Sequence, residues 1–137
     1  MKVFILEDAT TRMEYFTDTF KDVADFVICS NIKDAVDELM INKFDIIFLD
    51  YDLDQVDEVN KKGLVLKFHT EFGIDVARAI KFTKNIDCQI VIHSWSEHGA
   101  RDMANELSWS GKVNCEPFGT EGFTKLVTEL IKGGNGK

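Results

Sequence analysis

Proline occurs once in the 137 residues, at Pro117, which excludes a polyproline segment or a proline-rich linker between domains. Cysteine is scarce as well. Cys29, Cys88 and Cys115 each sit inside an apolar run, so they read as small buried hydrophobes in a reducing compartment rather than as a disulfide framework. Basic residues are outnumbered, 16 Lys and Arg against 24 Asp and Glu, for a formal net charge of −8. Such a surface repels polyanions and argues against bulk DNA or RNA binding, while leaving room for a small phosphorylated ligand held through a metal. Long apolar runs are missing too: none approaches membrane-spanning length, and the first reaches Glu7 and Asp8 too soon for a signal peptide. The expectation is a cytoplasmic protein without membrane contact.

What is present is an ordinary globular composition, 45% hydrophobic and 29% charged, at the length of one domain able to bury its own core. Residues 1–132 read as that domain, with Gly133, Gly134, Asn135, Gly136 and Lys137 as a flexible tail. Val3 to Leu6, Phe26 to Cys29, Phe44 to Leu49 and Cys88 to Ile92 are short β-branched or aromatic runs, the pattern of strands covered on both faces. Lys112 to Cys115 is a weaker fifth. Helical periodicity fills the intervals. Ile32, Ala35, Val36, Leu39 and Met40 mark one helix with Ser30 as its N-cap; Ala100, Met103, Ala104 and Leu107 mark another; Phe123, Leu126, Val127, Leu130 and Ile131 mark the last. Thr11 and Glu14 stand at capping-box spacing ahead of Phe16 and Phe20, and a further helix begins near Ile74. Strand and helix thus alternate five times, which predicts a three-layer, doubly wound (βα)5 domain with a five-stranded parallel sheet. Tyr51 to Phe72 is long for a βα connection and reads as a loop, a candidate lid.

In an open α/β sheet ligands sit beyond the carboxyl ends of the strands, and the polar residues fall there. Glu7 and Asp8 follow the first strand, Asp50 and then Asp52 the third, His93 and Ser94 the fourth, Glu116 and Pro117 the fifth. Carboxylates crowded at one edge repel one another, and a hard divalent cation with oxygen ligands neutralises them. Taken singly, each has a plainer role: Asp8 or Thr10 caps the first helix, Ser94 caps the fourth, and His93 is a hydrogen-bonded core histidine. Lys61, Lys62, Lys67 and His69 read first as a solvated face and second as phosphate contacts.

Glu7-Asp8 after an apolar strand, Asp50 ending Phe-Asp-Ile-Ile-Phe-Leu-Asp, Ser94, and Pro117-Phe118 together resemble the flavodoxin-like receiver domain of response regulators over nearly the whole chain. That resemblance implies Glu7, Asp8 and Asp50 as Mg²⁺ ligands, Asp50 as phosphoacceptor and Ser94 as the hydroxyl that meets the phosphoryl group. Receivers carry a lysine before the proline of the Pro-Phe pair. Here the residue is Glu116, which turns an attraction of about 4 kcal/mol, for charges ~4 Å apart at an effective dielectric of ~20, into a repulsion of similar size.

A narrower resemblance rests on Ile5-Leu6-Glu7-Asp8 with Arg12, Leu49-Asp50-Tyr51-Asp52-Leu53, Gly73-Ile74-Asp75-Val76-Ala77, and Ile92-His93-Ser94 with Gly99-Ala100 and Met103. These are similar to the predicted cyclic-phosphate-processing receiver family, which also lacks the lysine and has a His-Ser pair. Tyr51 departs from it, standing where a histidine is expected. The resemblance implies Mg²⁺ or Mn²⁺ held by Glu7, Asp8, Asp50 and Asp52, His93 as general acid or base, and Ser94 and Arg12 orienting the phosphate of a cyclic nucleotide or a 2′,3′-cyclic end. Two other readings compete: a phosphoaccepting receiver at Asp50, and a non-catalytic pseudo-receiver that binds a protein or nucleotide. A helix face of Phe123 and Leu126 also offers a surface for a protein partner or a homodimer.

Overall fold

Val3 and Ile5 of the first strand are buried against one layer of helices, and Phe4 and Leu6 against the other, as side chains that alternate across a doubly covered sheet must be. In the computed structural model, which describes residues 1–135, the order is β1 (Lys2–Leu6), α1 (Thr10–Phe20), β2 (Asp25–Cys29), α2 (Ile32–Ile41), β3 (Ile46–Leu49), β4 (Asp52–Val59), β5 (Val65–Phe72), α3 (Ile74–Ile80), β6 (Gln89–Ile92), α4 (Glu97–Glu106), β7 (Val113–Cys115) and α5 (Glu121–Asn135). The main sheet has five parallel strands in the order β2-β1-β3-β6-β7. The expected doubly wound sheet is therefore present. Phe16 and Phe20 of α1 and Phe123, Val127 and Ile131 of α5 pack with Val3, Ile5, Phe48 and Val91 on one face. On the other, Leu39, Val76, Ala77, Ile80 and Met103 from α2, α3 and α4 pack with Phe4, Leu6, Ile47 and Ile90.

The stretch 51–72 is not a loop. It folds as an antiparallel hairpin, β4 on β5, closed by a turn in which Asn60 Oδ1 accepts from the Lys62 and Leu64 N–H groups and Gly63 takes a positive φ of 82°. Leu53 is inserted into the main core. Gln55 Nε2 donates to the Ser30 carbonyl at 2.7 Å, and Glu71 Oε1 accepts from the Ile32 N–H at 2.9 Å. The base of the hairpin is thus pinned to the β2–α2 connection rather than poised as a lid.

Several local expectations shift. The N-cap of α2 is Asn31, not Ser30; that of α4 is Ser96, not Ser94; and α1 begins after Ala9 without a side-chain cap, so neither Asp8, Thr10 nor the Thr11–Glu14 pair plays that part. Of the cysteines only Cys88 is buried, Cys115 is exposed, and all three are free thiols. Phe123 is wholly buried and so is unavailable to a dimer surface. Helix α5 runs through Asn135, taking in Gly133 and Gly134; the rest of the expected tail, residues 136–137, lies outside the described residues. Among the described residues no helix is long and apolar enough to cross a membrane.

Two glycines allow the hairpin to seat. A Cβ on Gly73 would lie 1.9 Å from the Asp50 carbonyl oxygen, and one on Gly99 would lie 2.2 Å from Cγ of Tyr51. The Tyr51 ring packs there and against Phe72, with centroids 5.1 Å apart. Gly73→Ala should therefore destabilise the protein by roughly 1–3 kcal/mol, the usual cost of overpacking. Thermal melts should show a drop of several degrees for Gly73→Ala and none for Gly111→Ala, where no atom lies within 4 Å of the added methyl; equal melts would refute the close fit.

Candidate functional site

Strands β1, β3 and β6 run in register, with Leu6 opposite Leu49 and Leu49 opposite Ile92. The next residues in that row are Glu7, Asp50 and His93. Ladder hydrogen bonds continue one step past the strands, Asp50 N–H to the Leu6 carbonyl at 3.2 Å and His93 N–H to the Leu49 carbonyl at 3.0 Å, which fixes the row. By the alternation of the sheet all three side chains lean toward the α1/α5 face. Ligand atoms of Glu7, Asp50 and His93 fall within 4.8 Å of one another.

Each has a defined partner. Glu7 Oε2 meets His93 Nε2 at 2.7 Å, and Glu7 Oε1 accepts from the Ala9 N–H at 3.2 Å. Asp50 Oδ1 accepts from the Tyr51 N–H at 2.9 Å. The Arg12 guanidinium lies 3.7 Å from Glu7 Oε1 and 3.8 Å from Asp50 Oδ2, over the Phe118 ring at 5.3 Å. These contacts are too long for charge-assisted hydrogen bonds, so Arg12 offsets part of the acids' charge without gripping either.

A cavity of about 290 Å³ opens above this row, walled by Glu7, Asp8, Arg12, Asp50, Asp52 and Ser94 among the residues named from sequence. Asp54, Trp95 and Ser96 join them unforeseen. Asp54 arrives because β4 is a strand: Asp52 and Asp54 are two apart and face the same way. Asp8 is tied to that strand, its Oδ2 accepting from the Asp54 N–H at 2.8 Å. Ser94 Oγ accepts from the Ser96 N–H at 3.1 Å.

Three placements bear on the alternatives above: His93 and the hairpin cations stand as the plainer of their two readings has them, and Glu116 departs from the lysine position. His93 is not among the residues that wall the cavity: it is fully buried behind Glu7, amid the rings of Phe16, Phe48, Phe118 and Phe123. Its Nδ1 is buried without a hydrogen-bond partner. Its Nε2 contact with Glu7 Oε2 places it behind a carboxylate that walls the cavity, the position of a residue that orients a ligand-facing side chain. Glu116 does not face the cavity either; its carboxylate lies beside Gly122 in the first turn of α5. The repulsion computed for a glutamate in the lysine position is thus avoided. Lys61, Lys62, Lys67 and His69 are on the hairpin and none walls the cavity; His69 pairs with Asp57 at 2.8 Å and Glu71 at 3.2 Å.

Burial and then the charge of Glu7 push the Asp50 carboxyl up from 3.8 to about 6, against smaller opposing pulls from His93, the Tyr51 N–H and Arg12. Asp8 is raised too, chiefly by burial, with the Asp54 N–H opposing. The donor set suits a hard cation. Glu7 and Asp50 present carboxylate oxygens to one point, Asp8 and Asp52 wall the same cavity without belonging to that converging group, and a positive charge there would relieve the stress on Asp50.

Because the folded state holds the Asp50 proton more tightly than the unfolded chain does, stability rises as pH falls through about 6 and the gain is complete below about 4; above 6 the ionised carboxylate is a cost. In chelator, Asp50→Asn should therefore be more stable than wild type at pH 8, on the order of 1–3 kcal/mol, with about two thirds of the advantage gone at pH 4.5 and most of it by pH 4. Paired thermal melts check this, and a variant less stable than wild type at pH 8 would contradict it.

The family described as the cyclic-phosphate processing receiver domain matches residues 4–108. No curated protein matches the sequence. Solved structures that it resembles include response regulators and receiver domains. A phosphorylated Burkholderia pseudomallei response regulator with calcium and citrate superposes with a TM-score of 0.65 at 12% identity, over 94% of this chain and 68% of that one. The receiver domain of a Pseudomonas aeruginosa sensor histidine kinase, with magnesium coordinated in its active-site cleft, gives 0.62 at 14% identity, over 96% and 97%. The phosphorylated cyanobacterial phytochrome response regulator RcpA gives 0.64 at 17%, over 96% and 93%. At such identities the likeness speaks for the fold, and the family match covers most of the chain; this protein belongs to the cyclic-phosphate processing receiver domain family.

Proposed function

We propose that the acid cavity binds a divalent cation, Mg²⁺ or Mn²⁺, through Glu7 and Asp50 with support from Asp8, and through it a cyclic phosphate that the protein opens by hydrolysis. The observation that carries the reading is the convergence of Glu7, Asp50 and His93 within 4.8 Å beneath a cavity in which Arg12 is the sole cationic wall residue among the described residues. Five acids, Glu7, Asp8, Asp50, Asp52 and Asp54, wall the same space. A phosphate would be repelled by such a site unless a metal reversed the local charge.

When bound, the cation would polarise a phosphoryl oxygen and lower the pKa of an attacking water. The chain's own residues do the rest. Arg12 offers guanidinium N–H donors to the phosphate, and the Ser94 hydroxyl lies on the same wall to donate to another oxygen. His93 positions Glu7 and fixes which oxygens face the cavity. Asp52, exposed at the rim, is the acid placed to take the proton of the incoming water, with Asp54, whose Oδ1 accepts from the Thr70 hydroxyl at 2.9 Å, beside it. In the net reaction water oxygen bonds to phosphorus, one ring P–O bond breaks, and the released ring oxygen takes a proton, leaving a phosphomonoester.

Phosphoacceptance by Asp50 is the lesser reading, because Glu116 takes the place of the lysine and faces elsewhere. Purified protein with Mn²⁺ should convert one or more members of a panel of 2′,3′- and 3′,5′-cyclic nucleotides to monoesters, and Asp50→Asn should lose at least ~100-fold of that rate. No turnover and no binding of any panel member would refute the proposal; binding without turnover would leave a reader of cyclic phosphates; a labile mass adduct with acetyl phosphate would favour the receiver reading. His93→Ala should weaken Mn²⁺ binding about 10–100-fold, as loss of a ligand's supporting partner usually does. An unchanged calorimetric affinity would remove His93 from the site.

A further inference from the structure

Trp95 is 59% exposed although it follows a buried strand end, yet it is not loose: its Nε1–H donates to the Phe118 carbonyl at 2.9 Å. The indole and Ser94 form a wall shared by two cavities. On one side is the acid cavity. On the other is a smaller one of about 160 Å³, whose walls include Ile92, Ala100 and Pro117 together with the acidic residues Glu97 and Glu116.

Glu116 has no hydrogen bond or ion pair from its side chain among the described residues, and Gly122 is what makes room for it: a Cβ there would come within 2.6 Å of Oε2. An unpaired, half-buried carboxylate beside an apolar slot and a tethered indole is suited to a flat ring that carries an N–H donor on its edge. Nucleobases are such rings. They stack on tryptophan regardless of sequence, and a carboxylate accepts from the exocyclic amine of cytosine while facing the carbonyl of uracil unfavourably.

We propose that this second cavity takes the base of the ligand, with Trp95 as the stacking platform and Glu116 as the acceptor for an exocyclic amine. The substrate class is then a nucleoside cyclic phosphate bearing an amino base, not a sugar or polyol cyclic phosphate. The inference rests on the reading of the acid cavity given above, since phosphate and base would be held on two sides of one residue.

Trp109→Phe supplies a background in which Trp95 is the sole indole, since Trp109 belongs to a separate cavity with Ile86 and Lys112. With Mg²⁺ present, cytidine 2′,3′-cyclic phosphate should quench Trp95 emission and bind roughly five- to hundredfold tighter than ribose 2′,3′-cyclic phosphate, the range expected of one stacked base. Trp95→Ala should bring the ratio of cytidine to base-free affinity, both measured in that variant because the indole also walls the acid cavity, to about one. Glu116→Ala should erase the preference for the cytidine over the uridine compound. Equal, metal-dependent affinity for the cytidine and base-free compounds, without quenching, would overturn the base site while leaving the acid cavity's reading intact. If neither phosphate binds, that reading fails instead, and the base site is judged with cytidine alone at millimolar concentration: quenching supports it and its absence overturns it.

Discussion

Two carboxylates buried side by side at the ends of neighbouring strands set the terms for everything around them. Glu7 is wholly buried and Asp50 nearly so, and like charges this close, out of water, are costly unless positive charge or protons intervene. The fold answers in layers. His93 supports Glu7 from behind, Arg12 lies across both acids from the side, and Asp50 holds its proton to about pH 6. None of these fully neutralises the pair, and Arg12 sits too far from either to do so alone. The remaining imbalance faces the cavity, where a divalent cation would discharge it.

The architecture that creates the imbalance is inexpensive. Register between β1, β3 and β6 places the first residue after each strand in one row, and the alternation of the sheet turns all three the same way. The hairpin then makes the row into a cavity. Asp8 holds Asp54, Gln55 and Glu71 hold the α2 side, Leu53 enters the core, and Gly73 and Gly99 let Asp50 and Tyr51 come into contact with what lies over them. Tyr51, where the family pattern suggests a histidine, is thereby a packing residue that joins the hairpin to α4.

The β-branched runs that became the central strands were legible because a strand covered on both faces must be continuously apolar, and the site acids were legible because ligands collect where such strands end. The hairpin was not. Asp52, Asp54, Asp57 and Glu58 hide the alternation of β4, and of its residues only Leu53 is buried; the turn signal from Asn60 to Gly63 was the one available cue. Helix caps slipped by one or two residues because Ser30, Asn31, Ser94 and Ser96 are equally good caps in isolation, and only the path of the chain chooses between them. His93 was named from its position beyond a strand end, but its depth was readable from parity: it shares a face with Val91, the face that Phe16, Phe48 and Phe123 fill. Glu116 shows the same limit. Its place in the chain matches a phosphate-contacting lysine, while the space left by Gly122 sends it elsewhere.

The central claim is that an unbalanced carboxylate pair waits for a cation, and titration calorimetry with Mn²⁺ in two buffers of different ionisation enthalpy tests it most directly. At pH 6, where Asp50 is about half protonated, the account predicts binding at one site with release of roughly half a proton per ion, falling towards none at pH 8. Absence of binding, or binding at pH 6 without proton release, would contradict it.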